Sequence, residues 1–130
     1  MRKLTWVLTL TATLGIATAC GDDDGSEADR LGVGAACTVN TDCSEAAKTC
    51  LLQFKGGYCG ISGCAADTDC PTGSRCVAHD DNTNYCFLVC TDKTQCNVNR
   101  PVDAESNCSA SVTFVEGDTS VKACIPPSGA

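Results

Sequence analysis

The chain is poor in the groups that build an ordinary hydrophobic core. It has one Trp, two Tyr and three Phe in 130 residues. Trp6 lies near the start, leaving Phe54, Tyr58, Tyr85, Phe87 and Phe114 for everything else, and large aliphatics are sparse beyond Cys20. At roughly 25 cal/mol per Å² of apolar surface buried, so few bulky groups cannot offset the entropy lost on ordering. A covalent constraint is therefore expected. Basic residues are scarce as well. No Lys/Arg cluster is present to neutralise phosphates, which excludes nucleic acid and anionic headgroups as natural partners.

Catalytic equipment is thin in the same way. His79 is the single His, and in the polar run from Ala78 to Asn84 it reads as a solvated loop residue. Ser74 and Ser109 have no GxSxG elbow around them. Asp80, Asn82 and Asn84 are spaced like the opening of a calcium loop, but Tyr85 stands where Gly is required and no acidic residue closes the loop. A polar turn is expected there. Asn107-Cys108-Ser109 matches a glycosylation sequon, read as a coincidence. Neither enzyme activity nor a cofactor or metal is expected.

What the chain has in abundance is cysteine, thirteen in all. Twelve fall in the 88 residues from Cys37 to Cys124, about 14%, above the roughly 8–10% that marks a disulfide scaffold. Thiols at this density belong to an oxidising compartment. Zinc sites use closely spaced pairs with a partner pair or His downstream. Here Cys86-x3-Cys90 and Cys59-x4-Cys64 stand isolated between longer gaps, and no CxxC or CxxCH occurs, so redox and haem-attachment motifs are missing too.

The cysteines repeat in fours. Cys37-x5-Cys43-x6-Cys50-x8-Cys59 is followed by Cys64-x5-Cys70-x5-Cys76-x9-Cys86 and by Cys90-x5-Cys96-x11-Cys108-x15-Cys124. Units 37–59, 64–86 and 90–124 follow, an internal repeat. Thr41-Asp42-Cys43, Thr68-Asp69-Cys70 and Thr94-Gln95-Cys96 share one register, as do Tyr58-Cys59 and Tyr85-Cys86, with Ala123 in the third copy. Asp and Thr before the second cysteine suit a turn, because their side chains satisfy nearby backbone N–H groups. Pro71-Thr72-Gly73 is a second turn signal. The expected fold class is small and disulfide-rich, with three tandem four-cysteine units, short strands and hairpins, and little helix. Extended pieces are expected around Tyr58-Cys59, from Tyr85 to Val89 and from Lys122 to Ile125, with a hairpin over Ser111 to Val121. Ser44 to Lys48 is a candidate single helical turn.

The N-terminal segment has a different character. Arg2 and Lys3 precede a thirteen-residue apolar stretch from Leu4 to Ile16 and the small residues Ala17-Thr18-Ala19. This is the pattern of an export signal over residues 1–19, too short for a membrane-spanning helix of about 20 residues. Ala17-Thr18-Ala19-Cys20 resembles the bacterial lipobox, in which the chain is cleaved before a cysteine that carries diacylglycerol. Ala17 departs from the Leu, Val or Ile usual at its position. Thirteen is odd, and setting Cys20 aside leaves twelve cysteines to pair, so Cys20 is the expected lipidation site. Residues 20–36 are then the lipidated Cys and a flexible tether, acidic over Gly21 to Arg30. The resemblance implies outer-membrane sorting, because Gly21 replaces the Asp that signals inner-membrane retention in some Gram-negative bacteria. Loss of Arg2 and Lys3 leaves seven basic against sixteen acidic residues, a net charge of −9.

Asp69, Cys70, Pro71, Gly73 and Cys76 carry a wider resemblance. The unit resembles the cysteine-rich repeats of bacterial lipoproteins, and also Dickkopf, colipase-like and whey-acidic-protein modules, although the adjacent Cys-Cys pair of the last is missing. Four cysteines allow three pairings and the spacing does not choose among them. Similarity to colipase-like and growth-factor-like knots implies first to third and second to fourth. That gives Cys37–Cys50, Cys43–Cys59, Cys64–Cys76, Cys70–Cys86, Cys90–Cys108 and Cys96–Cys124, leaving residues 125–130 as a C-terminal tail.

The function expected from these features is that of a membrane-anchored, non-catalytic binding module for an envelope or extracellular protein. Alternatives are a structural envelope protein without a specific ligand and a small inhibitor-like protein. The expanded loop from Ser109 to Ala123 is the expected contact, through Phe114, Glu116 and Asp118.

Overall fold

The computed structural model describes residues 32–47 and 49–129. The export signal over 1–19, Cys20, and the acidic run from Gly21 to Arg30 lie outside the described residues. Each unit begins with a turn that its sequence repeat explains. Asp42 Oδ2 accepts from the backbone N–H groups of Thr38 (2.8 Å) and Val39 (3.1 Å). Asp69 Oδ2 accepts from those of Ala65 (2.8 Å) and Ala66 (3.1 Å). In the third unit Gln95 Oε1 takes the same place, 2.7 Å from the Thr91 nitrogen. The first two turns are 3-10 (Asn40–Asp42 and Asp67–Asp69) and the third is the short helix α1 (Lys93–Cys96). Ser44–Ala47 is a hydrogen-bonded turn.

A second local bond recurs. Asn40 Oδ1 accepts from Cys50 N and Asp67 Oδ1 from Cys76 N, both at 2.9 Å. Each places the third cysteine of its unit beside the turn. The six disulfides are Cys37–Cys50, Cys43–Cys59, Cys64–Cys76, Cys70–Cys86, Cys90–Cys108 and Cys96–Cys124. This is the connectivity that the resemblance implies, and every bridge stays within its own unit.

The strands join what the disulfides keep separate. β1 (Thr49–Cys50) and β2 (Cys59–Gly60) form a two-stranded ladder in the first unit. β3 (Ser74–Ala78), β4 (Asn84–Cys90), β5 (Asn107–Ser109), β6 (Thr113–Phe114) and β7 (Lys122–Ile125) form an antiparallel sheet in the order β5-β7-β4-β3-β6. Units two and three therefore share one sheet, with β4 pairing β3 over Asn84 to Leu88 and β7 over Val89 and Cys90. The hairpin expected over Ser111 to Val121 is not formed. Thr113 and Phe114 pair instead with Ala78 and Val77 of β3, because the Phe114 ring is buried in the shared core.

That core collects Leu51, Phe54, Tyr58, Val77, Tyr85, Phe87, Phe114 and Ala123. Every aromatic beyond Trp6 is in it. A single unit owns too few large side chains to bury any of them fully, so the three pool their aromatics, each removing roughly 150–250 Å² from water. Tyr58 is fully buried and links the units through its hydroxyl, which donates to the Cys124 carbonyl (3.3 Å) and accepts from Leu88 N (3.1 Å).

The folded body is wider than the cysteine ladder. Gly34 N donates to Cys59 O and Cys59 N to Ala35 O, each at 2.9 Å, and Ala35 is buried. Val33 to Ala36 thus belong to the folded unit rather than to a flexible tether. At the other end Lys55 N donates to Pro127 O, Gly129 N to Gln53 O, and Ser128 bridges Phe54. The tail is pinned along the first unit.

Candidate functional site

The connection from β5 to β6 dictates where a cavity can form. These strands are opposite edges of the sheet, about 19 Å apart if it were flat, from four spacings of about 4.8 Å. Ser109 to Thr113 is four Cα-to-Cα steps, which reach at most about 14 Å. The sheet must curl to bring its edges together, and a cavity of about 120 Å³ lies where they meet. Val77 and Ala78 of β3, Ile125 of β7 and Ser109, Ser111, Val112 and Thr113 of the connection line it, with His79 and Asp80 from the β3–β4 turn.

That turn is built by local hydrogen bonds. Asp81 Oδ1 accepts from Thr83 N (2.9 Å), His79 N donates to Thr83 O (3.0 Å), and Asn82 takes φ 65°, a left-handed conformation that Asn tolerates. Asn84 Nδ2 is occupied by the Cys64 carbonyl at 3.0 Å. The Asp80-x-Asn82-x-Asn84 stretch is thus a polar turn between two strands.

His79 departs from the expected solvated residue. Its ring packs edge-on against Phe54, Tyr85 and Phe87, with centroids 5.5, 5.7 and 5.8 Å away. Its Nδ1 is buried and 3.4 Å from Asp81 Oδ1, within ion-pair reach but too poorly aligned for a hydrogen bond. Asp81 in turn accepts from the Tyr85 hydroxyl (2.7 Å). That bond, chiefly, holds the Asp81 carboxyl below its ordinary range. A polar string, Gln53 to Tyr85 to Asp81, runs behind the cavity wall.

The three residues expected to meet a partner separate. Phe114 is only 5% exposed and packs in the core, so its assignment as a contact is corrected: β6 pairing turns the ring inward. Glu116 is exposed. Asp118 is paired with Arg75, which also lies 3.8 Å from Asp67. Glu116 is pushed above the usual carboxyl range by its hydrogen bond to Asp67 and by the charge of that neighbour.

A larger opening of about 340 Å³ runs along Lys93, Asn97, Val98 and Glu105. It is more open to solvent, and its two charges are already paired at 2.6 Å. The sulfurs of Cys37, Cys43 and Cys59 lie within 4.8 Å of one another, as do those of Cys64, Cys70 and Cys86 and those of Cys90, Cys96 and Cys108. All are disulfide sulfurs, so these clusters are stacked bridges rather than thiolate sets.

Sequence reasoning missed Arg100. Its guanidinium is buried between the first and third units and donates to the carbonyls of Ala104 (2.7 Å), Gly57 (2.8 Å), Lys55 (2.8 Å) and Gly34 (3.2 Å). Nothing local marks it, since its acceptors are backbone atoms up to 66 residues away. Comparison of the chain with family models, curated proteins and solved structures finds no match.

Proposed function

We propose that the chain is an exported bacterial lipoprotein, held to the envelope, at the outer membrane, by lipid on Cys20, whose disulfide-bonded body is a non-catalytic module for binding a protein partner. One observation carries the binding reading. The cavity at the sheet seam is walled by strand residues but is closed by the expanded connection of the third unit, a part that departs from the repeat, and by the β3–β4 turn. The shared elements, cysteines and capped turns, are committed to holding the scaffold. Six bridges hold those loops in place, which lowers the entropy cost of binding. The lipid reading is supported by cysteine arithmetic, because twelve of thirteen cysteines are in disulfides and Cys20 is left over.

Both parts are open to direct test. Intact mass of the native protein should show acyl chains and a gain of twelve hydrogens on reduction of six bridges, and Cys20→Ser should abolish globomycin-sensitive processing. A photo-crosslinker at Ser111 should yield a discrete protein adduct on intact envelopes, whereas one at exposed Val102 should not. Adducts from neither position would favour an envelope protein without a specific ligand.

A further inference from the structure

Size, lining and charge together narrow what the seam cavity accepts. At about 120 Å³ it is below the roughly 300–1,000 Å³ of sites for free small molecules, and near the roughly 150 Å³ that holds one benzene. Such a space takes a single side chain. The lining pairs the apolar surfaces of Ala78, Val112 and Ile125 with the hydroxyls of Ser109, Ser111 and Thr113 and the carboxylate of Asp80. An aliphatic stem with a hydrogen-bonding head matches that mixture.

Charge selects the head. Asp80 is exposed and has no ion-pair partner among the described residues, and Asp81 follows it. The described cations are engaged elsewhere or distant: Arg75 is on Asp118, Lys93 on Glu105, and Arg100 on backbone carbonyls. Lys55 and Lys122 form no ion pair among the described residues, and neither lines the cavity. An anionic head would meet the carboxylate of Asp80 on a strongly acidic protein.

We propose that the cavity between β3 and residues 109–113 binds one basic side chain, lysine or arginine, of the protein partner. This rests on the binding-module reading and names the chemistry of its contact. The methylene stem lies against Ala78, Val112 and Ile125, and the cationic head is held by Asp80 and the hydroxyls.

The test is a ¹H–¹⁵N titration of the native, oxidised protein in detergent micelles with Nα-acetyl-lysine methylamide. The neutral norleucine and acidic glutamate analogues serve as controls. Saturable shifts at His79, Asp80, Ser111 and Thr113 are expected with the lysine derivative alone. Asp80→Asn should weaken binding about fivefold, as for the loss of one exposed ion pair, and Ser111→Tyr should abolish it by filling the space. Both positions are exposed, and the spectra of the variants check that the fold is kept. No saturable shift, equal response to norleucine, or indifference to Asp80→Asn each overturns the proposal. The titration needs no partner, so its failure removes the cationic cavity and leaves the partner reading standing, while absence of crosslinks removes the partner reading and with it the partner's side chain as occupant.

Discussion

The guanidinium of Arg100 lies over the ring of Tyr58, 5.6 Å from its centroid. Both groups are buried, and burial pushes the Tyr58 phenol up and the Arg100 guanidinium down from their ordinary values. Among the described residues no carboxylate neutralises the cation. It is held by four carbonyls and one aromatic face, and so adds to the Tyr58–Cys124 hydrogen bond in joining the first and third units. Arg100→Ala should destabilise the oxidised protein by roughly 3 kcal/mol or more in urea unfolding, because four carbonyls lose a charged donor whose bonds are each worth about 1.5–3 kcal/mol. Arg100→Lys should recover only part, because one ammonium cannot reach the acceptors that a planar fork spans.

The hydroxyl of Tyr58 predicts a smaller effect. Tyr58→Phe keeps the ring but leaves Leu88 N without its acceptor. A loss of about 1–3 kcal/mol is expected, with faster amide exchange at Leu88 as the local readout.

Gly57 is a position where only glycine fits. Its φ is +67°, and a Cβ there would lie 2.1 Å from the Cys37 carbonyl oxygen and under 3 Å from both sulfurs of the Cys37–Cys50 bridge. Gly57→Ala should cost roughly 2–4 kcal/mol from strain and overlap. Gly73 also has positive φ, +85°, but faces open space, so Gly73→Ala should cost only about 1 kcal/mol from the backbone conformation. Thermal midpoints of the two variants give the comparison.

Removing the bridge with the longest loop should be the most damaging single reduction. Cys96–Cys124 spans 28 residues, for which restriction of the unfolded chain predicts about 3–4 kcal/mol. The double variant Cys96→Ser, Cys124→Ser should lose more stability in urea than Cys64→Ser, Cys76→Ser, whose bridge spans 12.

Carboxyl groups give opposite pH signatures. Asp42 is held low by the backbone N–H groups of Thr38 and Val39, Asp81 by the Tyr85 hydroxyl, and Asp118 by Ser120. A depressed folded value means that their stabilisation is present above the unfolded carboxyl range, about pH 4, and is lost as pH falls through the folded values. Glu116 is raised by Asp67, so its contribution is present below the unfolded range and lost as pH rises. Glu116→Gln should therefore raise the thermal midpoint at neutral pH and have little effect in acid. A Glu116→Gln midpoint no higher than wild type at neutral pH would remove the Asp67–Glu116 contact.

The sequence by itself determined the class of this protein and its local turns. Cysteine density, the four-cysteine register and the Asp or Gln before each second cysteine act over a few residues, where a side-chain oxygen can reach only a handful of N–H groups. The disulfide pairing was less local. Three connectivities fitted the spacing, and resemblance to known knots supplied the choice. Tertiary structure alone decided that Phe114 faces inward, that Thr113 and Phe114 pair with another unit rather than within a hairpin of their own, that His79 packs on aromatics, and that Arg100 clamps the first unit to the third. The physical reason is the scarcity of large side chains. No unit can bury its own aromatics, so the final arrangement is set by contacts between segments tens of residues apart, which no local spacing records.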